Sequence, residues 1–289
     1  STMKNDDGVS TIAYQGVEGS YSSLAVAEYD PKAERIGYPT FDAVVAAVQN
    51  DEATHAFLPI ENSTAGRVAD LHHLLPKSGL TVIAEYFLPI RHALIALKGA
   101  SLKDVKHVYS HREALSQCTN TLRALNIEPV PYGDTAKAVS FVSETGNEAY
   151  AALASTYAAE LHDTVHIVQE NLQDADDNVT RFLVLTKDPA TKPLNGDCIT
   201  SLVYDVLDKP AALYESLGSF AKHGVNIIKL ESFVPMQRHK EAHFYLECLG
   251  KADESPLQEA LVELQGHTKH ILVLGTYEKS SYRKNFDKE

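Results

Sequence analysis

The sequence predicts an α/β protein of two small βαβ lobes followed by a separate split-βαβ, or ferredoxin-like, unit, and three observations carry that expectation. From Thr11 to residue 187 short apolar runs alternate with helical patterns. A stretch rich in proline, glycine and polar residues, KDPATKPLNGD at 187–197, then interrupts the pattern as a linker. Beyond it the elements read β-α-β-β-α-β over about 80 residues, enough for an independent domain.

Each element follows from its own pattern. TIAY (11–14) is a buried strand, and QGVEGSYSSLAVAEY is a glycine-containing turn feeding a helix capped by Ser20 or Ser22. Phe41, Val44, Val45 and Val48, spaced i, i+3, i+4, i+7, make FDAVVAAVQN an amphipathic helix, and HAFLPIE (55–61) is the next strand. TVIAEYFLPI (81–90) and HALIAL (92–97) are strands separated only by Arg91. HVYSH (107–111) is another, and Leu115, Cys118, Leu122 and Leu125 mark one face of the helix after it. VHIVQE (165–170) and TRFLVLT (180–186) close the region. One large doubly wound sheet would use the same strands, but the apolar passage through 81–97 reads as a crossing strand. Lobe 1 is then about 10–90 plus 168–187 and lobe 2 about 91–167, with a ligand cleft between them. After the 188–198 linker, ITSLVYDV (199–206), VNIIKLESFV (225–234), AHFYLECL (242–249) and HILVLG (270–275) are strands. Leu213, Leu217 and Phe220 stripe one helix, and Leu257, Leu261 and Leu264 the other. The terminal domain spans 199–277, leaving a polar tail at 278–289.

Composition narrows the function. With 44% hydrophobic residues, the chain of 289 residues can bury a substantial core. Its 26 basic and 39 acidic residues give a net charge of -13, which argues against nucleic acid as a partner. An anionic metabolite would need locally concentrated cations and N–H groups to overcome that field. Cys118, Cys198 and Cys248 are widely spaced and suit buried thiols in a reducing compartment rather than disulfides or zinc ligands. No apolar run reaches membrane-spanning length, STMKNDDGVS lacks a signal-peptide core, and a cytoplasmic location without membrane partners is expected.

Several segments bear chemistry. Gly16 and Gly19 in QGVEGSYS lie between a strand and a helix start, where the N–H groups of Gly19, Ser20, Tyr21 and Ser22 suit a carboxylate, although an ordinary βα turn has the same form. PIENSTAG (59–66) ends a strand in Glu61, Asn62, Ser63 and Thr64, with Ala65 following, at the carboxyl edge where α/β folds place ligands; Ser63 or Thr64 equally suits a helix cap. YSHREALSQC repeats the theme with Ser110, His111 and Gln117. DNVTRF (177–182) offers Thr180 as a hydroxyl donor to a leaving oxygen and Arg181 as a bidentate carboxylate clamp. No metal site is expected: the DADD run lacks a calcium-loop pattern, and the adjacent His72 and His73 diverge on a helix.

In combination these segments resemble the prephenate dehydratase family. Y-Q-G-x-x-G-S-Y-S at 14–22, P-I-E-N-S at 59–63, S-H at 110–111 with Q-C at 117–118, and T-R-F at 180–182 occur in order, so that 10–187 matches the catalytic domain of its monofunctional form. The resemblance implies a two-lobed catalytic domain of the type II periplasmic-binding-protein kind. It also implies the cofactor-free conversion of prephenate to phenylpyruvate with loss of water and carbon dioxide in phenylalanine biosynthesis. Thr180 would then be the leading catalytic residue, with Glu61, Asn62, Ser110 and Gln117 completing the proton network. Gly19, Ser20, Tyr21, Ser22, Ser63, Thr64, Ala65, His111, Arg181 and Phe182 would bind substrate.

The C-terminal unit resembles the ACT regulatory domain, which implies feedback by L-phenylalanine and a homodimer or homotetramer. The family's G-A-L-V and E-S-R-P motifs fall on Ala211-Ala212-Leu213-Tyr214 and Glu231-Ser232-Phe233-Val234, both altered here. Ala211, Ala212, Leu213, Asn226, Glu231, Ser232 and Phe233 are the corresponding effector residues. Two alternatives remain: an arogenate dehydratase, and a non-catalytic two-lobed sensor of small anions.

Overall fold

The computed structural model describes residues 8–234 and 243–286. Ala242, the expected start of a strand, and the last three residues of the expected tail lie outside the described residues, as does most of the segment read for a signal peptide.

The described residues form three sheets. Lobe 1 contains β1 (Thr11–Gln15), α1 (Tyr21–Tyr29), β2 (Glu34–Tyr38), α2 (Phe41–Gln49), β3 (His55–Asn62), the short β4 (Gly66–Arg67), α3 (Ala69–Leu74) and β5 (Thr81–Pro89). Lobe 2 follows with β6 (Ala93–Leu97), β7 (His107–Ser110), α4 (Arg112–Ser116), α5 (Thr119–Ala124), β8 (Glu128–Pro131), α6 (Thr135–Thr145), β9 (Tyr150–Ala154), α7 (Thr156–Glu160) and β10 (Val165–Gln169). The chain then returns as β11 (Val179–Thr186), which inserts antiparallel between β3 and β5. The strand orders are β2-β1-β3-β11-β5 and β10-β6-β9-β7-β8. Two α/β lobes are therefore present as expected, and the chain passes from one sheet to the other between β5 and β6.

Three differences matter. The sheets are mixed, because the strands that carry the chain between lobes, β5, β6, β10 and β11, pair antiparallel with at least one neighbour. The return comes later than Val168: β10 stays in the second sheet to Gln169, and 170–178 form a second crossing. The single helix expected after β7 is broken at Cys118, where the Asp174 carboxylate accepts from the N–H groups of Asn120 and Thr121 and caps a new helix.

The C-terminal unit consists of β12 (Cys198–Val206), α8 (Ala212–Lys222), β13 (Ile227–Phe233), β14 (His243–Leu249), α9 (Leu257–Gln265) and β15 (Thr268–Glu278), in sheet order β13-β14-β12-β15. Alternation gives this sheet two apolar faces. Leu202, Tyr204, Phe244 and Leu246 pack on α8 and α9. Ile199, Val203, Tyr245 and Tyr277 share a core with Val44, Leu58, Leu71 and Leu183 of lobe 1. The approach is close enough that a Cβ on Gly275 would lie 2.1 Å from the Val82 carbonyl oxygen, so glycine is required there.

One buried ion cluster joins the two units. Arg181, 1% exposed, donates from Nε to Glu85 at 2.9 Å, from Nη1 to both oxygens of Glu247 at 2.8 Å, and from Nη2 to the Tyr277 hydroxyl at 3.0 Å. Arg283 adds two bonds to Glu85 at 2.8 Å, while Tyr282 stacks on Phe87 at 5.3 Å. The segment expected as a polar tail thus forms a short 3-10 helix at Ser281–Asn285 that clasps β5. Burial alone would raise the Glu85 carboxyl, but Arg283 and Arg181 outweigh it and hold it below the ordinary carboxylate value.

Removing one member of such a cluster leaves carboxylates buried without a partner. Arg181→Met is expected to cost about 3–5 kcal/mol of unfolding free energy in urea at neutral pH. Because Glu85 is depressed in the folded state, its contribution is present above the unfolded pKa and lost as the pH falls through the lower folded value. The deficit of the variant should therefore shrink below about pH 4.

Candidate active site

The register of β11 against β3 builds the site. Thr180 pairs with Asn62 and Arg181 with Glu61, but Phe182 pairs with Pro59, so Ile60 is an extra residue in β3. Directly opposed residues share a face of a sheet, and a bulge reverses the alternation beyond it. The extra residue therefore brings Asn62 beside Thr180 on the cleft face and Glu61 beside Arg181 on the face toward the C-terminal sheet. Without it the polar row at the end of β3 would point the wrong way.

A cleft of about 350 Å³ opens between the lobes, lined by Asn62, Asn178 and Thr180 from lobe 1 and the second crossing, by His111, Glu113 and Gln117 around α4, and by Tyr21 and His92 at the first crossing. A hydrogen-bonded chain runs along it. Asn62 Nδ2 donates to Thr180 Oγ1 and to Asn178 Oδ1, each at 2.8 Å. Asn178 Nδ2 donates to Gln117 Oε1 at 3.0 Å, and the same oxygen receives His92 Nε2 at 2.7 Å. Since Gln117 Oε1 only accepts, the His92 proton sits on Nε2, and Nδ1 accepts from the Tyr21 hydroxyl at 2.5 Å. Burial pushes the His92 pKa down, against the smaller opposing effects of Gln117 and Glu113, and burial pushes the Tyr21 phenol up. Both rings are therefore neutral near pH 7.

The neighbouring polar groups hold this chain in place. Asn62 Oδ1 accepts from the N–H groups of Thr64 and Ala65 and from Thr64 Oγ1, which fixes its amide orientation. Ser63 Oγ donates to the Asp177 carbonyl and accepts from Val179 N, locking the end of β3 to the entry of β11. Ala65 and His111 line the cleft, and His111 Nδ1 caps α4 by accepting from Glu113 N at 3.2 Å. Glu61 stands at the cleft edge, where its two oxygens contact Arg181 and Lys229.

Other expected site residues lie elsewhere. Arg181 is turned away from the cleft and fully engaged, because the alternation that exposes Thr180 buries its neighbour. Phe182 packs against Phe57 at 4.8 Å in the core of lobe 1. Ser110 is buried and donates to the Leu153 carbonyl within the second sheet. At the start of α1 the polar groups bond one another: Ser20 caps the helix by accepting from Ser23 N, Gly19 N donates to Ser23 Oγ, and Ser20 N donates to the Val17 carbonyl. Gly19 meets lobe 2 instead, with its carbonyl accepting from Ser155, and Ser22 does not line the cleft. Two members of the chain, His92 and Asn178, were missed. The former sits beside Arg91 in the crossing and the latter two residues before Thr180, a spacing that puts both on one strand face.

The expected effector residues do not converge on one site. Ala211, Ala212 and Leu213 border a separate cavity of about 380 Å³ with Phe244, and Ala211 adopts φ 63°, a conformation suited to glycine. Glu231 and Phe233 face lobe 1, contacting His72, while the Ser232 carbonyl accepts from Arg67 at 2.6 Å. Asn226 is exposed and its carbonyl accepts from Leu249 N. Among the described residues no cluster of His, Cys, Asp and Glu suits a metal ion, and no helix is long and apolar enough to cross a membrane.

Comparison with known proteins places this geometry. Residues 12–190 match the family model for prephenate dehydratase. A bifunctional N-acyl-homoserine lactone acylase/prephenate dehydratase of Komagataeibacter europaeus is 37% identical over 279 residues, covering 96% of this chain and 99% of the relative. An arogenate dehydratase/prephenate dehydratase of Arabidopsis thaliana is 35% identical over 277 residues, covering 92% and 72%. The crystal structure of prephenate dehydratase from Arthrobacter aurescens in complex with L-Phe superposes with a TM-score of 0.83 at 29% identity, covering 93% of this chain and 90% of that one. On these matches and on the cleft that T-R-F and P-I-E-N-S jointly form, the chain belongs to the prephenate dehydratase family.

Proposed function

We propose that this chain is a hydro-lyase that converts prephenate to phenylpyruvate, with Thr180 as the group that assists departure of the C4 hydroxyl. The observation carrying this reading is that Thr180 Oγ1 accepts from Asn62 Nδ2 inside the cleft. Its oxygen is thereby occupied as an acceptor and its own proton is left to donate. The bond between the ring and its carboxylate breaks, the electron pair enters the ring as it becomes aromatic, and the C4–O bond breaks. The departing oxygen takes a hydrogen bond, and in the limit a proton, from Thr180, which recovers that proton from solvent as carbon dioxide and water leave. Aromatisation supplies the driving force, so the protein's work is to orient the ring and lower the cost of the leaving group. The neutral chain from Asn178 to Tyr21 holds that orientation without adding negative charge opposite a dianion. No cofactor is required.

The C-terminal unit is read as an ACT-type domain that binds L-phenylalanine. Its split-βαβ order and the L-Phe complex formed by the Arthrobacter aurescens relative support this. The half-exposed Leu272 and Val273 on the edge strand β15 suit a pairing surface for a homo-oligomer.

Thr180→Ala is expected to lower kcat by about 10²–10⁴-fold with little change in melting temperature, and Thr180→Ser to retain most turnover. Normal turnover in the alanine variant would remove Thr180 from the mechanism. Purified protein should form phenylpyruvate from prephenate faster than phenylalanine from arogenate; the reverse preference would make it an arogenate dehydratase. Calorimetry with L-phenylalanine should give a saturable heat together with altered kinetics, and no heat with unchanged kinetics would reduce the C-terminal domain to a structural role.

A further inference from the structure

Among the described residues, the lining of the cleft contains three carboxylates, Glu61, Glu113 and Asp134, and neither lysine nor arginine. Asp134 is engaged in capping α6, where it accepts from Ala136 N and Lys137 N. Glu61 is 35% exposed at the cleft edge and is neutralised by two cations from outside it. Arg181 Nη1 stands 3.3 Å from Oε1, but that guanidinium already serves Glu85 and Glu247. Lys229, only 11% exposed, reaches from β13 to contact Oε2 directly, with Glu231 next at 3.5 Å. Residues of the C-terminal sheet do not line the cleft, and Lys229 is the direct contact of that sheet with a carboxylate that does.

We propose that Lys229 is a positioning residue that acts through Glu61, cancelling its charge at the mouth of the cleft and so coupling the C-terminal sheet to substrate binding there. The proposal rests on the reading of prephenate, a dianion, as substrate. An uncompensated Glu61 would repel both carboxylates of the incoming molecule. The same strand binds the segment just after Asn62, because Glu231 pairs with His72 at 2.7 Å and with Arg67 at 3.8 Å. A ligand that displaces the end of β13 therefore withdraws Lys229 and weakens substrate binding, which gives the coupling an inhibitory sign.

The test compares wild type with Lys229→Met, Lys229→Arg, Glu61→Gln and the double variant Glu61→Gln/Lys229→Met, all first checked for native melting. Lys229→Met should raise KM for prephenate about tenfold while kcat stays within about twofold, the order expected for one uncompensated charge near a charged ligand at a protein's effective dielectric. Lys229→Arg should stay near wild type. The double variant should match Glu61→Gln, because removing the carboxylate makes the lysine unnecessary. An unchanged KM in Lys229→Met, or a defect that Glu61→Gln fails to relieve, overturns the proposal. Wild type that forms no phenylpyruvate overturns the substrate instead, and the coupling is then judged on the Glu61 carboxyl by 13C NMR. That carboxyl faces Arg181 on β11, Lys229 and Glu231 on β13, and Arg67 across from it on β4. Its titration should move to higher pH in Lys229→Met, and an unmoved titration refutes the coupling.

Discussion

The structure depends on one buried guanidinium. Arg181 is held by Glu85 from lobe 1, Glu247 from the C-terminal sheet and Glu61 at the cleft edge. An arginine with five fixed donors suits this task, because its planar fork satisfies several carboxylates at once and stays charged when desolvated. Strand geometry then turns a structural device into a functional one. With Arg181 committed to the face that meets the C-terminal sheet, Thr180 must project into the cleft. The extra residue at Ile60 matches β3 to that arrangement, giving Glu61 to the ion cluster and Asn62 to the cleft. A catalytic pair and an interdomain anchor are thus adjacent residues on the same two strands.

The chain from Thr180 to Tyr21 crosses both connections between the lobes. Tyr21 and Asn62 belong to lobe 1, Gln117 to lobe 2, and His92 and Asn178 to the crossings themselves. Relative movement of the lobes therefore changes the hydrogen bonding of the catalytic hydroxyl. The chain is made of neutral groups, which resolves the problem posed by a net charge of -13. Instead of amassing cations, the cleft uses amides, hydroxyls and a neutral imidazole, and offsets the carboxylate at its edge from behind.

Much of this was legible in the sequence. The crossing through 81–97 was marked by its nearly continuous apolar run, the linker by its composition, the cleft residues Asn62 and Thr180 by their places at strand ends, and Gln117 by its place on the helix after a strand. The bulge at Ile60 was not, since an extra residue leaves no compositional trace and changes only which face a side chain takes. Arg181, the natural clamp for an anion in an acidic chain, turns inward for a different reason: it neighbours Thr180 on β11, and alternation sends the two to opposite faces. The break at Cys118 was equally hidden, because its cause, the Asp174 cap, lies more than fifty positions away. The residues after 278 read as a polar tail because Arg283 and Tyr282 gain meaning only from Glu85 and Phe87 beneath them.

The central claim is a division of labour between two adjacent residues, Thr180 toward substrate and Arg181 toward the protein. It is tested most directly by a crystal structure with an unreactive dicarboxylate analogue of prephenate that retains the C4 hydroxyl. The ligand hydroxyl should lie about 2.8 Å from Thr180 Oγ1, with Arg181 still on Glu85 and Glu247. A ligand carboxylate paired with Arg181, with Thr180 out of reach of the hydroxyl, would contradict it.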